Sequence, residues 1–220
     1  MACILTLDAA LARCSAAVIR DGQVVAARQS ARAYGETDPL PEMLTQVLHD
    51  AAIAPAELDA IGVTLGPGSF TGIRGALALA HGLGLGAGVA VVGVTVGEAI
   101  AADLPRAQGR TVWVAVHNQR GRVFIEQDGM VAAWPEDALP PTTGEMAIAG
   151  DACAAVAARL AAKGIDVMLT DVLYPTPIGI AAAAVERMAG RLPARAAQPL
   201  YVDPPAVSRP KHDPRLPPVA

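Results

Sequence analysis

The sequence predicts an α/β fold made of two mixed sheets with helices on their faces. Two observations support this: the first hundred residues pass from hairpin-connected strands to alternating strands and helices, and a smaller set of the same elements follows. With 53% hydrophobic and 17% charged residues over 220 positions, the chain can form a substantial core. Aromatic residues make up only 3%, so that core must consist of Ala, Val, Leu and Ile.

The elements of the first half follow from its apolar runs. Asp21 and Gly22 are a hairpin signal between the second and third strands. Three antiparallel strands followed by strand–helix alternation is the layout of one actin-like, or ribonuclease H-like, half. The predicted elements are strands at 2–8, 14–20 and 23–29, a helix at 39–53, a strand at 59–65, the helix that begins near residue 70, a strand at 89–94 and a helix at 96–103.

A smaller, degenerate second half is predicted at 105–203. Leu104, Pro105 and the polar run 106–110 mark its boundary with the first half at 1–104. Residues 204–220 contain six prolines and are predicted to form an extended or disordered tail. The predicted elements of the second half are strands at 111–117 and 122–127, a loop through Pro135, Pro140 and Pro141, a strand at 146–149, a helix at 151–163, a strand at 166–170 and a helix at 177–190.

Composition excludes several classes of protein. The net charge of −4 argues against a broad basic surface for RNA. Three cysteines without CxxC spacing favour buried, reduced thiols in a cytoplasmic protein, and an opening segment without a basic region favours a strand over a signal peptide.

Residues 75–97 carry no charged residue over a length that could span a bilayer, but seven glycines and His81 interrupt them. We interpret residues 82–88 as a helix end and a loop rather than part of a membrane span.

Residues 66–74, with the sequence GPGSFTGIR, join a strand to a helix through an unusual turn. Pro67 presets one turn angle, and Gly66 and Gly68 tolerate the positive φ angles that a sharp reversal needs. Ser69 lies where an N-cap belongs, and the amides of the first helical turn could hold an anion near the strand end. A well-capped strand–turn–helix without a ligand explains the same residues.

This motif, together with residues 4–8 and 14–18, resembles the TsaB family, the bacterial subunit of the machinery that makes threonylcarbamoyladenosine in tRNA. The resemblance covers most of the chain and implies an actin-like (ASKHA), glycoprotease-like fold. The GPGSFTGIR stretch is the specific part of the resemblance. Supporting segments lie at 79–83, 92–94, 114–116, 120–124 and 199–202.

The resemblance implies a pseudoenzyme that dimerises with the related transferase TsaD and activates it for modification of tRNA position 37, with TsaE in a larger complex. A homodimer is the alternative assembly, and contact with tRNA is expected to be indirect. We expect no tightly bound cofactor, ATP at most at the interface with partner subunits, and no membrane association. The alternative function is an enzyme of the same fold, either a small-metabolite kinase or a glycoprotease-like hydrolase.

Candidate nucleotide-binding residues are few. In actin-like enzymes hydroxyl groups of the first hairpin hold phosphate, but here Ala9 and Ala10 follow Asp8, which can cap the turn or hold magnesium. Gly150 and Asp151 can form a second phosphate turn, or Asp151 can be an ordinary N-cap. We therefore expect no catalytic residues and at most a vestigial nucleotide cleft. Its candidates are Asp8, Gly68, Ser69 and Gly150.

The histidines predict no metal site. His49, His81, His117 and His212 contain no pair with metal-ligand spacing. His81, on a helix rich in Ala and Gly, is interpreted as a buried or interfacial histidine, with a ligand role as the alternative.

The resemblance also implies that the helices at 39–53 and 70–84 contact a partner. On the second helix a stripe of small residues would let a partner helix approach closely, with apolar bulk beside it. The alternative is that these stripes pack inside the protein. The predicted interface consists of Leu44, Val47 and Leu48 on the first helix and of Phe70, Gly72, Ile73, Ala76, Leu77, Leu79 and Ala80 on the second.

Two segments depart from the family pattern. Residues 35–37, Gly-Glu-Thr, stand where the family commonly has His-Ser or His-Thr, and residues 117–119, His-Asn-Gln, stand where it commonly has Asp-Ala-Arg. These departures weaken the case for small-ligand contacts in the cleft and leave the scaffold function unaffected.

Overall fold

The computed structural model describes residues 2–31, 39–104, 107, 109–118 and 121–202. A short 3-10 turn at Pro55–Glu57 precedes β4. The helices and strands in chain order are β1 (Cys3–Asp8), β2 (Arg13–Arg20), β3 (Gln23–Ala31), α1 (Leu40–Asp50), β4 (Ala60–Thr64), α2 (Phe70–Ala87), β5 (Ala90–Val94), α3 (Val96–Asp103), β6 (Thr111–Asn118), β7 (Arg122–Gln127), β8 (Met130–Pro135), β9 (Glu145–Ala149), α4 (Cys153–Ala161), β10 (Asp166–Leu169) and α5 (Pro177–Met188).

The strands form two five-stranded sheets of the same design. The first has the order β3-β2-β1-β4-β5, and the second has the order β8-β7-β6-β9-β10. In each, three antiparallel strands are followed by two parallel ones. The predicted fold class is confirmed. The second half is reduced in one respect, because residues 136–144 contain no helix where the first half has α1.

Both faces of the first sheet are buried. Because side chains alternate along a strand, Leu5 and Leu7 of β1 face the cluster that includes α1 and α2, whereas Ile4 faces the opposite cluster. Strands buried on both faces are continuously apolar, as the sequence of β1 shows. The second sheet has its own core, in which Trp113 and Ile148 pack with residues of α4.

Helix α5, from the second half of the sequence, covers the opposite face of the first sheet. A Cβ at Gly62 of β4 would lie 3.2 Å from Cγ2 of Ile180, so this helix approaches the strand closely. Gly179 lets α5 approach α3 as well, because a Cβ there would lie 2.3 Å from the carbonyl oxygen of Ala99. The boundary near residue 104 stays a prediction: residues 105, 106 and 108 lie outside the described structure, as does the tail at 204–220.

Three predicted elements need correction. Residues 130–135 form the edge strand β8 instead of a loop, since a terminal proline is tolerated at the end of an edge strand. Residues 82–86 are not a loop, because α2 continues through three glycines to Ala87 and ends at Gly88 in the left-handed conformation (φ 71°). Helix α4 begins at Cys153, two residues later than predicted.

We expect Gly179→Ala to destabilise the protein. Its Cβ would overlap the backbone of α3 and lie 2.4 Å from Oδ2 of Asp103, which requires the two helices to separate. The cost of such overpacking is typically 1–3 kcal/mol, or several degrees in melting temperature. The matched control is Gly82→Ala, where the new Cβ meets no described atom within 4 Å. Thermal unfolding that places both variants at or above the wild-type melting temperature would contradict this packing.

Candidate functional site

The GPGSFTGIR turn is fixed by a close backbone contact with the β1–β2 turn. Gly66 and Gly68 have φ angles of 105° and 150°, which confirms that both positions need a positive φ. A Cβ at Gly68 would lie 2.1 Å from the carbonyl oxygen of Ala10, so only glycine fits. The strand-to-helix turn and the first hairpin therefore touch through their main chains.

Ser69 caps α2, as predicted. Its hydroxyl oxygen accepts a hydrogen bond from the amide of Gly72 at 3.2 Å. Its own amide donates to the carbonyl oxygen of Ala10 at 2.6 Å. An amide at the start of the helix that could have held an anion is thus used by the neighbouring turn.

Asp8 ends β1 and is almost fully buried, with 1% of its surface exposed. Its Oδ1 accepts the amide of Ala10 at 3.0 Å and the hydroxyl of Thr64 at 2.6 Å. The contact with Ala10 is the turn-capping hydrogen bond predicted for this residue. The structure therefore brings Asp8, Gly68 and Ser69 together at one edge of the first sheet.

Gly150 lies at the matching place in the second half. It has a φ of 92°, and a Cβ there would lie 2.2 Å from the carbonyl oxygen of Ala115. Asp151 does not cap α4, because its Oδ1 accepts the amide of His117 at 2.8 Å and the N-cap residue is Ala152. Burial raises the pKa of Asp151. The N-cap interpretation of Asp151 is therefore wrong.

The departures from the family pattern are only partly described. His117 and Asn118 lie at the end of β6, whereas residues 35–37 and 119 lie outside the described structure. Across the described ranges, no group of three His, Cys, Asp or Glu side chains could hold a metal ion. Nor is any helix in those ranges long and apolar enough to cross a membrane.

The predicted partner interface lies mostly inside the protein. Of the remaining members, Leu48 and Leu79 are half-buried and Phe70 is 54% exposed. The small stripe of α2 packs against the sheet, and side chains with at most 9% of their surface exposed offer little contact to a partner. The interface prediction is corrected at the seven buried positions, which are Leu44, Val47, Gly72, Ile73, Ala76, Leu77 and Ala80.

A second stripe of small residues, which the sequence analysis missed, lies on the outer face of α2. Ala78, Gly82 and Gly86 are exposed and follow one another at a spacing of four residues. Leu85 lies beside them with 89% of its surface exposed. The spacing was visible in the sequence, but residues 82–88 were predicted to leave the helix.

A cluster of Phe70, Arg74 and Tyr201 also escaped prediction. The guanidinium of Arg74 lies 3.9 Å from the Phe70 ring centroid and donates two hydrogen bonds to the hydroxyl of Tyr201, at 2.7 and 3.1 Å. Tyr201 is 127 residues from Arg74, so no local pattern indicates the contact. His81 is exposed, so its prediction as a buried histidine is wrong, and its Nε2 lies 2.8 Å from the carbonyl oxygen of Ala197.

The two halves are joined at the start of α3 by a buried carboxylate. Glu126 of β7 accepts the amide of Gly97 at 2.9 Å and the hydroxyl of Thr95, the N-cap of α3. The pKa of Glu126 is raised to about 7, chiefly by burial and also by the charge of Glu98. The hydrogen bonds from Thr95 and Gly97 and the charge of Arg195 act in the opposite direction. The acid is thus half-protonated near neutral pH.

These features define an actin-like α/β protein of two halves. In each half a glycine turn packs tightly against a backbone carbonyl group. A family model described as TsaD: tRNA N6-adenosine threonylcarbamoyltransferase matches residues 27–166, so the chain belongs to this family. Within it the chain is TsaB-like. It is 33% identical over 122 residues to the tRNA threonylcarbamoyladenosine biosynthesis protein TsaB of Escherichia coli, covering 55% of this chain and 52% of that protein.

A second curated relative and a solved structure also match the chain. An uncharacterized protein of Mycobacterium leprae is 30% identical over 199 residues, covering 88% of this chain and 53% of that protein. The chain thus spans about half the length of these curated relatives. The solved structure of YeaZ from Pseudomonas aeruginosa matches with a TM-score of 0.70 and 23% identity, over 91% of this chain and all of that one. This likeness shows the fold.

We expect the stability of the protein to fall as pH rises from 5 to 8, because Glu126 binds its proton more tightly when folded. Its unfolded pKa is near 4.5 and its folded pKa is about 7. The stabilisation is complete below 4.5 and is lost as pH passes 7, a loss of roughly 3 kcal/mol. The measurement is the free energy of unfolding in urea at several pH values across this range. Glu126→Gln should remove most of its dependence on pH.

Glu186→Gln is the matched control. The hydrogen bond from Arg191 lowers the pKa of this exposed carboxylate, so its titration lies at the acidic end of the range, away from that of Glu126. The control should keep the wild-type slope. If the free energy of unfolding changes equally with pH in the wild type and in Glu126→Gln, the buried acid does not cause the pH dependence of stability.

Proposed function

We propose that this chain is a non-catalytic scaffold subunit of the bacterial tRNA threonylcarbamoyladenosine machinery, which dimerises with a cytoplasmic TsaD homologue and activates it. A TsaE homologue joins in the larger complex, and a homodimer is the other assembly. The names of the TsaB relatives and the TsaD family model support the pathway. The observation that carries the scaffold function is the outer face of α2.

Two glycines on this face have no packing role among the residues that the structure describes. A glycine inside a helix costs about 1 kcal/mol relative to alanine. Gly84 has a reason to be glycine, because a Cβ there would lie 2.8 Å from both Val89 and Val91. At Gly82 and Gly86 a Cβ would meet no described atom within 4 Å. Close approach by a helix outside the chain explains them.

The surroundings of these glycines suit a partner helix. Ala78 continues the smooth row, so a second helix could pack with its axis about 8 to 10 Å away. Leu85 projects beside the row and would be buried on contact. Exposed apolar side chains next to a row of small residues favour a helix–helix interface over a solvated face.

The decisive comparison is between two alanines of one helix. We expect Ala78→Arg to fold normally and to lose the complex with the TsaD homologue, since it places a long charged group on the outer face. Ala76→Arg should fail to fold, because Ala76 has no exposed surface and lies in the core of the first sheet. The measurements are thermal unfolding of each variant and size-exclusion chromatography with TsaD.

A complex that survives Ala78→Arg would place the interface elsewhere on the molecule. A folded Ala76→Arg variant that no longer binds would instead restore the inner stripe as the contact surface. Gly82→Ala serves as the mild control, because a single methyl group on the outer face should weaken binding without abolishing it.

We also expect the isolated chain not to hydrolyse ATP. The Ser69 amide, which could hold phosphate, instead donates to the carbonyl oxygen of Ala10. Asp8, which could hold magnesium, accepts hydrogen bonds from Thr64 and Ala10 at Oδ1. Ala9 supplies no hydroxyl. Phosphate release with ATP and magnesium should equal the rate without protein. Turnover that Asp8→Asn abolishes would favour the alternative, a small-metabolite kinase or a hydrolase of this fold.

A further inference from the structure

The last described residues form a strap along α2. We use this name for residues 197–201, which follow α5 and return to the first half. The carbonyl oxygen of Ala197 lies 2.8 Å from Nε2 of His81, and the amide of Leu200 donates to the carbonyl oxygen of Leu65 at 2.9 Å. The hydroxyl of Tyr201 accepts a hydrogen bond from Arg74. The strap therefore runs in the direction opposite to the helix.

The reach of the strap agrees with a segment that runs along the helix axis. From His81 back to Arg74 a helix rises about 10 Å. The four residue steps from 197 to 201 can span at most about 13 Å, and the bend at residues 197 and 198 shortens that span. The strap thus lines one side of α2 and ends at its first turn.

The strap ends in a group of three large side chains on the surface. Phe70 and Tyr201 are 54% and 56% exposed, and their ring centroids are 6.0 Å apart. The guanidinium of Arg74 stacks on the Phe70 ring, 3.9 Å from its centroid, and lies 5.9 Å from the centroid of Tyr201. Exposed contacts of this kind add little to folding stability, whereas Tyr and Arg are the residues that dominate binding at interfaces.

This cluster is continuous with the outer face of α2. Phe70, Arg74, Ala78, Gly82 and Gly86 follow one another at intervals of four residues, which places them on a single row of the helix surface. The N-terminal end of the row is therefore aromatic and cationic, and the rest of it is smooth.

We propose that Tyr201 is a positioning residue of the partner surface, holding Arg74 against Phe70 so that the guanidinium meets an acidic side chain of the partner. This inference rests on the proposed function and commits to the TsaD homologue as the occupant. Among the described residues, the hydrogen bonds of Arg74 go to Tyr201 through Nε and Nη2. Its Nη1 group faces no such partner in the described chain.

Tyr201 would strengthen binding by holding the Arg74 side chain in its binding conformation before the partner arrives. A free arginine on a helix surface loses rotamer entropy when it binds, which cancels much of the gain from an ion pair. With its guanidinium already stacked on Phe70 and bonded to Tyr201, Arg74 pays less of that entropy on association. Removing one hydroxyl group should therefore weaken binding without altering the fold.

The test uses the full chain with its TsaD homologue and measures Kd by calorimetry. We expect Tyr201→Phe to weaken binding roughly fivefold to tenfold, the effect of losing one hydrogen bond of ordinary strength. Its melting temperature should stay within about 1 °C of wild type, because the hydroxyl is exposed. Tyr174→Phe is the matched control, since Arg13 lies 5.0 Å from the Tyr174 ring, and it should bind like wild type.

A double-mutant cycle distinguishes positioning from a general structural effect. In an Arg74→Gln background, Tyr201→Phe should have no further effect on Kd, because the group that it positions is gone. Independent, additive losses would overturn the inference.

The remaining outcomes separate this inference from the proposed function. Normal binding by Tyr201→Phe together with loss of binding by Ala78→Arg would overturn the inference alone. Normal binding by both would overturn the inference and move the proposed interface. The absence of a wild-type complex with TsaD, or a second copy of the chain in its place, would overturn both.

Discussion

The contact between Gly68 and the carbonyl oxygen of Ala10 is the constraint on which the first half depends. It brings the strand-to-helix turn against the first hairpin at a distance that no Cβ permits. The same approach lets the Ser69 amide bond to Ala10 and fixes where α2 begins. The direction of that helix determines which of its two small-residue stripes faces the sheet. A backbone contact thus decides which surface is left for a partner.

The second half repeats this constraint with a simpler chain. Gly150 meets the carbonyl oxygen of Ala115 as Gly68 meets that of Ala10, and the strand orders match. The second half omits one crossover helix, but it contributes two connections to the first: Glu126, which accepts the amide of Gly97, and α5, which covers a sheet face. The contact between the halves is therefore polar at Glu126 and apolar at α5.

The sequence was sufficient for the fold and insufficient for the surface. Positive φ at Gly66 and Gly68, the Ser69 cap and most strands follow from local chemistry, and the structure confirms them. Helical periodicity could not decide which stripe of α2 packs inside the protein. The stripe through Ala76 and the stripe through Ala78 both consist of small residues spaced four apart. The Tyr201–Arg74 contact joins residues 127 positions apart, which no local pattern encodes.

The placement of α5 has a consequence for the order of events during synthesis. All strands of the first sheet have been made by Val94. Among the described residues, however, the face that carries Ile4 has only Ala99 of α3 against it until α5, which ends at Met188, has emerged from the ribosome. A nascent chain therefore carries an open apolar surface while the whole second half is translated. Folding of the first half is coupled to completion of the second, although the two sheets share no strand.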